Sequence, residues 1–233
     1  MTKSYTDDEF GEIIIKRTAR ARSIRISIGT DGRYIVSAPK LTPVTFIKLT
    51  VNASRDELRK LASQCSRNQP YVDGQLVGRT HRLAVVPTHM VDRPTTKIER
   101  QRLLVMLPPE FSLDDSSVQQ QIRDSVTKIL RKEAKAYLPQ RLATMAATHG
   151  HRYERVRFSH SSGRWGSCSS TGTISLNIAL MKLSPELIDY VLAHELSHTR
   201  QMNHSKAFWD EVKHIDPLYK LHRQQLKQHT PVV

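Results

Sequence analysis

The chain has 233 residues, 38% of them hydrophobic, enough to build one large domain or two modest ones around a real core. No stretch approaches eighteen consecutive apolar residues, the opening "MTKSYTDDEFGE" is polar and acidic with no leader-like apolar segment, and only two cysteines occur, Cys65 and Cys168, which suits a reducing compartment better than a disulfide framework; the expectation is a cytoplasmic protein with free thiols and no membrane-spanning helix. A surplus of Lys and Arg, 36 against 22 Asp and Glu, leaves a net charge of +14, so nucleic acid is a partner to expect through the basic surface, beside the plainer reading of a solvated basic protein.

The first third is β-rich. The densest basic run, "KRTARARSIR" (Lys16, Arg17, Arg20, Arg22, Arg25), contains no acid and no aromatic, so it offers no stacking platform for single-stranded bases. "SIRISI", the turn residues "TDG" and "RYIVSAP" predict a hairpin, and a largely helical stretch follows from Thr42 to near Cys65 with an interruption at 52–54. "YVDGQLVGRTHRLAVVP" predicts a second hairpin and "KIERQRLLVMLP" one further strand. Pro108, Pro109 and the acidic "EFSLDD" mark a boundary, giving a β-rich N-terminal subdomain, 1–112, and a C-terminal domain, 113–233. The latter starts with a long helix that Gly150 stops and Pro139 is expected to kink. Two strands, in 152–160 and 172–177, flank "SSGRWGSCSST". Ser184 as cap and Pro185 as first residue then open another helix. No internal repeat is visible.

That helix carries "HELSHTRQMNH" (194–204). Residues four apart share a helix face, so His194 and His198 can offer imidazoles to one Zn²⁺ ion, with Glu195 beside them to reach a water on the metal. Leu187, Ile188, Val191 and Leu192 anchor the helix in a core. A catalytic zinc takes a third protein ligand and leaves its fourth position open, and His204, six residues on, has the spacing of the third histidine in metzincins. Where metzincins break the helix at Gly, this chain has Gln201, so the break is expected at Asn203, which tolerates the left-handed conformation. Ser205 caps a following helix, "KAFWDEVKHI", that Asp216 and Pro217 end. Phe208 and Trp209 are read as packing residues, and Asp210 or Glu211 as able to orient a ligand histidine.

"YVDGQLVGRTHRLAVV", "RWGSCSSTGTISLN" and "DYVLAHELSHTRQMNHSKAFW" resemble, in order and spacing, the YgjP-like metallopeptidase family, which is similar in its core to the SprT-like proteases. The resemblance runs from near Arg25 to "LYKLHRQQLKQH". It implies an α+β fold with a zincin-like C-terminal metallopeptidase domain, its HExxH helix packed on a small mixed sheet. It also implies one Zn²⁺ per chain on His194, His198 and His204, with Glu195 as catalytic acid/base. The substrate expected is a protein or peptide. In "RWGSC", Arg164, Trp165 and Gly166 are candidate substrate-binding residues: Trp165 as cleft wall or core, Gly166 as a point of close backbone approach or a bulge. Cys168 reads as a structural thiol before a metal ligand. Arg164, His160 and Tyr219 are candidate donors to an oxyanion. Two alternatives stand beside the zinc peptidase: a metal-dependent nucleotide or phosphoester hydrolase, and a non-enzymatic nucleic-acid-associated module with a structural zinc.

Overall fold

The computed structural model describes residues 3–7, 9–19, 21–28, 34–58, 70–161 and 163–233; Cys65, Arg20 and the "TDG" turn lie outside these. Two compact units divide the chain, 1–69 and 70–233. The first contains the antiparallel hairpin β1 (Lys3–Asp7) and β2 (Gly11–Thr18), then β3 (Arg25–Ile28) paired antiparallel with β4 (Tyr34–Pro39). β2 and β4 run parallel, so the sheet order is β1-β2-β4-β3. Strand alternation turns Ile13, Ile15, Tyr34, Val36 and Ala38 to one face. Helix α1 (Val44–Ala53) covers that face with Ile47 and Val51, four apart. The interruption expected at 52–54 is there: α1 stops at Ala53, Ser54 is a turn, and 55–58 is helical again.

The second unit opens on another four-stranded sheet: β5 (Leu76–Val77), β6 (His81–Pro87), β7 (Thr95–Glu99) and β8 (Arg102–Leu107), ordered β5-β6-β8-β7. Here too the outer pairs are antiparallel and the central pair, β6 and β8, is parallel. Both units thus trace the same four-strand path followed by a helix, a structural repeat that leaves no fixed-period signal in the sequence. The single strand expected at "KIERQRLLVMLP" is the β7–β8 hairpin, turning at Arg100, whose φ of 49° is left-handed. No Gly or Asn announced that turn.

Helix α2 (Ser116–His149) runs unbroken through Pro139 and ends on Gly150 in the left-handed conformation. Its Val118, Ile122, Ile129 and Leu130 share one core with Val77, Leu83, Leu103 and Val105 of the preceding sheet. The Glu133 carboxylate of α2 also accepts bonds from the backbone N–H groups of Arg79 (2.7 Å) and Thr80 (3.2 Å), with His81 Nδ1 at 2.8 Å. The division expected at 112/113 therefore falls inside the second unit, where Pro108 and Pro109 only turn the chain from β8 towards α2.

A third sheet, ordered β10-β11-β9, follows: β9 (Arg155–Ser159) is parallel to β11 (Thr173–Asn177), and β10 (Gly166–Cys168) is antiparallel to β11 at the edge. A 3₁₀ turn (Ile178–Lys182) leads into α3 (Pro185–Ser197), then α4 (Lys206–Ile215) and α5 (Tyr219–Leu226). Ser184 occupies the cap position of α3 without a side-chain cap bond, and Pro185 is the first helical residue as expected. Leu187, Ile188, Val191 and Leu192 are buried, and Arg141 of α2 grips Asp189 of α3 through two bonds of 2.8 and 2.6 Å. The fold is α+β. No helix among the described residues is long and apolar enough to cross a membrane.

Candidate metal centre

One ligand atom each from His194, His198 and His204 lie within 4.8 Å of one another, the one such group of metal-ligating side chains among the described residues. His194 and His198 project from the last turn of α3, four residues apart. The helix stops at Ser197, and His198 to Arg200 continue as turns. The expected left-handed break at Asn203 does not occur: among the described non-glycine residues only Arg100 has positive φ. The early exit instead brings the Gln201 carbonyl to His198, whose Nδ1–H donates to it at 3.0 Å. That bond leaves Nε2 of His198 with the free lone pair, the arrangement that orients a ligating imidazole. Ser205 caps α4 by accepting from the Phe208 N–H at 3.4 Å, which fixes the corner where His204 stands.

His194 Nε2 and His204 Nε2 are 3.2 Å apart. Two nitrogens bonded at ~2.0–2.1 Å to one tetrahedral ion lie about 3.3 Å apart, so the pair is spaced to share a metal. Burial, with the neighbouring His198 and His204 and then Arg223, pushes the His194 pKa down to about 3; burial likewise lowers that of His198. Both rings are therefore neutral, the form that coordinates. Fully buried Phe208 sits 4.9, 4.5 and 4.8 Å from the rings of His194, His198 and His204, and Trp209 stacks on His204 at 5.8 Å. The packing role expected of Phe208 and Trp209 is thus packing against the histidines themselves.

Glu195 is 4% exposed, and burial, opposed by the charge of Arg164, raises its pKa to about 8. Its Oε2, like Nδ1 of His194, is buried with no hydrogen-bond partner among the described residues. An orphaned buried carboxyl oxygen beside three converging imidazoles is what a site for a metal and a proton-transferring water requires. A cavity of about 190 Å³ opens onto it, walled by Trp165, Gly166, Tyr190, His194 and Leu226. Trp165 lines this cavity and also packs on the main core.

Gly166 does something the sequence did not state: a Cβ there would come within 2.5 Å of Glu195 Oε1 and 2.8 Å of its Cγ. The carboxyl side chain lies flat against β10 because position 166 has no side chain. Gly166→Ala is expected to cut peptide hydrolysis about 100-fold by displacing the carboxyl, while metal analysis shows the ion retained. Unchanged turnover would overturn this role. Burial, and then Glu195, pushes the Cys168 thiol up to about 11, so it is a protonated structural thiol.

Arg164 is exposed, with its charge felt at Glu195. Fully buried Asn177 holds the Arg164 segment: its side chain donates to the carbonyls of Ser161 (2.6 Å) and Arg164 (2.9 Å), and its backbone N–H to Trp165 (2.8 Å). Tyr219 stacks on Trp209 at 5.6 Å, and burial, with Arg131, lowers the His160 pKa; neither is brought to the Glu195 cavity. Tyr190, absent from the sequence-derived candidates, lines that cavity, and its hydroxyl is pushed up to about 12 chiefly by burial. Its place four residues before His194 was the available signal.

Asp210 and Glu211 do not orient a ligand histidine. Asp210 faces Lys206 at 3.8 Å. Glu211 accepts from Arg200 at 2.7 Å and lies 3.0 Å from Nε2 of His151, whose Nδ1 lies 3.1 Å from the Thr199 hydroxyl. The His151 side chain is 0% exposed. This knot ties the end of α2, the turn after His198 and the helix after His204. His151→Ala is expected to destabilise the fold by about 2 kcal/mol and weaken metal binding about tenfold, read by thermal unfolding and by competition with a chelator. Wild-type metal affinity in a destabilised variant would restrict the knot to folding.

Three imidazoles converging beside a buried carboxyl in an α+β chain form a candidate metal centre, and the class of protein that goes with it is a metallopeptidase. The chain belongs to the YgjP-like metallopeptidase family, whose domain model matches residues 22–229. It is similar to the crystallised metallopeptidase zymogen abylysin of Pyrococcus abyssi, 27% identical over 39% of this chain and 91% of that one, TM-score 0.36. It is also similar to the zymogen of Methanocaldococcus jannaschii jannalysin, 18% identical over 39% and 93%, TM-score 0.35. No curated protein matches.

Proposed function

We propose that the chain is a zinc-dependent peptidase of zincin type, with His194, His198 and His204 as the zinc ligands and Glu195 as the group that takes and returns the proton. The observation that carries this reading is the convergence of the three imidazoles beside the orphaned Glu195 carboxyl. A zinc ion held there supplies Lewis-acid polarisation of the scissile carbonyl and of the attacking water.

Glu195 acts from a dry wall: buried against Gly166, it can accept a proton from water at Oε2 and deliver it to the leaving amine. The positive charge of Arg164 favours its ionised form, while burial favours the neutral one, and this opposition suits a group that must do both. Trp165 and Tyr190 give the cavity aromatic walls. β10 is an edge strand beside Glu195, which offers an extended substrate backbone a partner.

The test is metal analysis of the purified protein together with two substrate panels, a random peptide library and a set of nucleotides and phosphodiesters. Stoichiometric zinc and peptide cleavage are expected. Hydrolysis confined to phosphate esters would overturn the reading, and a four-protein-ligand zinc with no hydrolysis at all would make the metal structural.

A further inference from the structure

Helices α4 and α5 line a second recess, about 630 Å³ in volume, beside the metal centre. Its floor is aromatic, Trp209 and Tyr219 stacked at 20°. α5 and the residue that caps its C-terminus contribute Lys220, Arg223 and Lys227, whose spacing of three and four places them on one face. Opposite stands a single acid, Asp210, which is matched by Lys206 at 3.8 Å. These three cations are left in excess, and among the described residues neither Lys220 nor Lys227 has an ion-pair partner. Trp209 belongs to both places: it forms part of the recess, and its ring lies 5.8 Å from that of His204 and 5.9 Å from that of His194. An extended chain advances ~3.3 Å per residue, so a peptide crossing the metal centre past His204 reaches the recess within about three residues.

We propose that this recess is a substrate subsite for acidic side chains, placed within about three residues of the bond cut; the proposal rests on the peptidase reading above. The ring of Trp209 is already stacked with His204 and Tyr219 and carries the Arg223 guanidinium 4.5 Å above it. That leaves no open face on the Trp209 ring for a nucleobase to stack on, whereas the lysine ammonium groups suit a carboxylate. The occupant is therefore an acidic peptide segment and not a nucleic acid strand.

The experiment uses the whole 233-residue chain, zinc-loaded, and a peptide set identical except for Glu, Gln or Lys placed singly at the three positions on each side of the scissile bond. The wild type is expected to cleave one or two of the Glu peptides with about tenfold higher kcat/KM than their Gln counterparts, through KM, and to lose that preference at high salt. The double variant Lys220→Glu, Lys227→Glu is expected to lose or reverse the preference while cleaving the Gln peptides as the wild type does. Equal cleavage across the set, or a preference unchanged in the variant, overturns the subsite and leaves the peptidase reading standing. No cleavage of any peptide ends both. Competition by a single-stranded oligonucleotide that is lost in the double variant, with no acidic preference, would reassign the recess to nucleic acid.

Discussion

Replacing Glu195 by Gln is expected to leave a protein that binds zinc stoichiometrically and has lost peptide hydrolysis by about 10³-fold or more. Gln keeps the shape of the side chain that lies against Gly166, so cavity and ligands stay in place, but an amide can neither take nor return the proton. The same substitution has an opposite effect on stability. In the chelated wild type the Glu195 carboxyl has a pKa of about 8 when folded against 4.5 as its ordinary value. Between these values the unfolded chain gives up a proton that the folded chain keeps, so stability falls as pH rises from about 4.5 to about 8 and falls no further above that. Gln carries no such proton. Chelated Glu195→Gln is therefore expected to be more stable than chelated wild type at pH 8, by a few kcal/mol and with a higher unfolding temperature, and to unfold at nearly the same temperature at pH 4. A gap equal at both pH values would show that burial of the charge is not its source.

The second large effect is expected from the histidines. His194→Ala and His198→Ala should each leave less than about a tenth of the metal bound after desalting and hydrolysis at background, because a tetrahedral site with two imidazoles left is both weak and unpositioned. His204→Ala is expected to be milder in affinity and equally severe in turnover, since His194 and His198 stay paired on α3 while the third corner of the site opens. Metal content by elemental analysis beside activity on one peptide separates the two. Full zinc occupancy in His198→Ala would remove that residue from the ligand set.

The local parts of this arrangement were legible in the sequence because they rest on local rules. The i, i+4 pair, the apolar anchors of α3, Pro185 at its start, the Ser205 cap and the stop at Gly150 are each decided within a few residues. What escaped depends on partners far along the chain. Gly166 reads as an ordinary strand glycine until Glu195 is seen lying on it, and His151 is one histidine among eleven until Thr199 and Glu211 close on it. The Arg100 turn escaped for another reason: the tertiary pairing of β7 with β8 and of β8 with β6 forces a left-handed residue where the composition offers no glycine. The likeness of the two four-stranded sheets also lies in pairing order and direction, which different side chains satisfy equally well.

Helix α2 holds one sheet along its N-terminal half and delivers Gly150 and His151 to the back of the metal centre at its other end. At 34 residues it is about 50 Å long. On a rod of that length a tilt of about one degree moves the far end by roughly 1 Å, a displacement that costs an active site about 100-fold in rate. The fit of β5 to β8 against α2 is therefore expected to act as an alignment tolerance for the chemistry, small packing changes at Leu83 or Leu103 reaching the turn after His198 through α2 and His151.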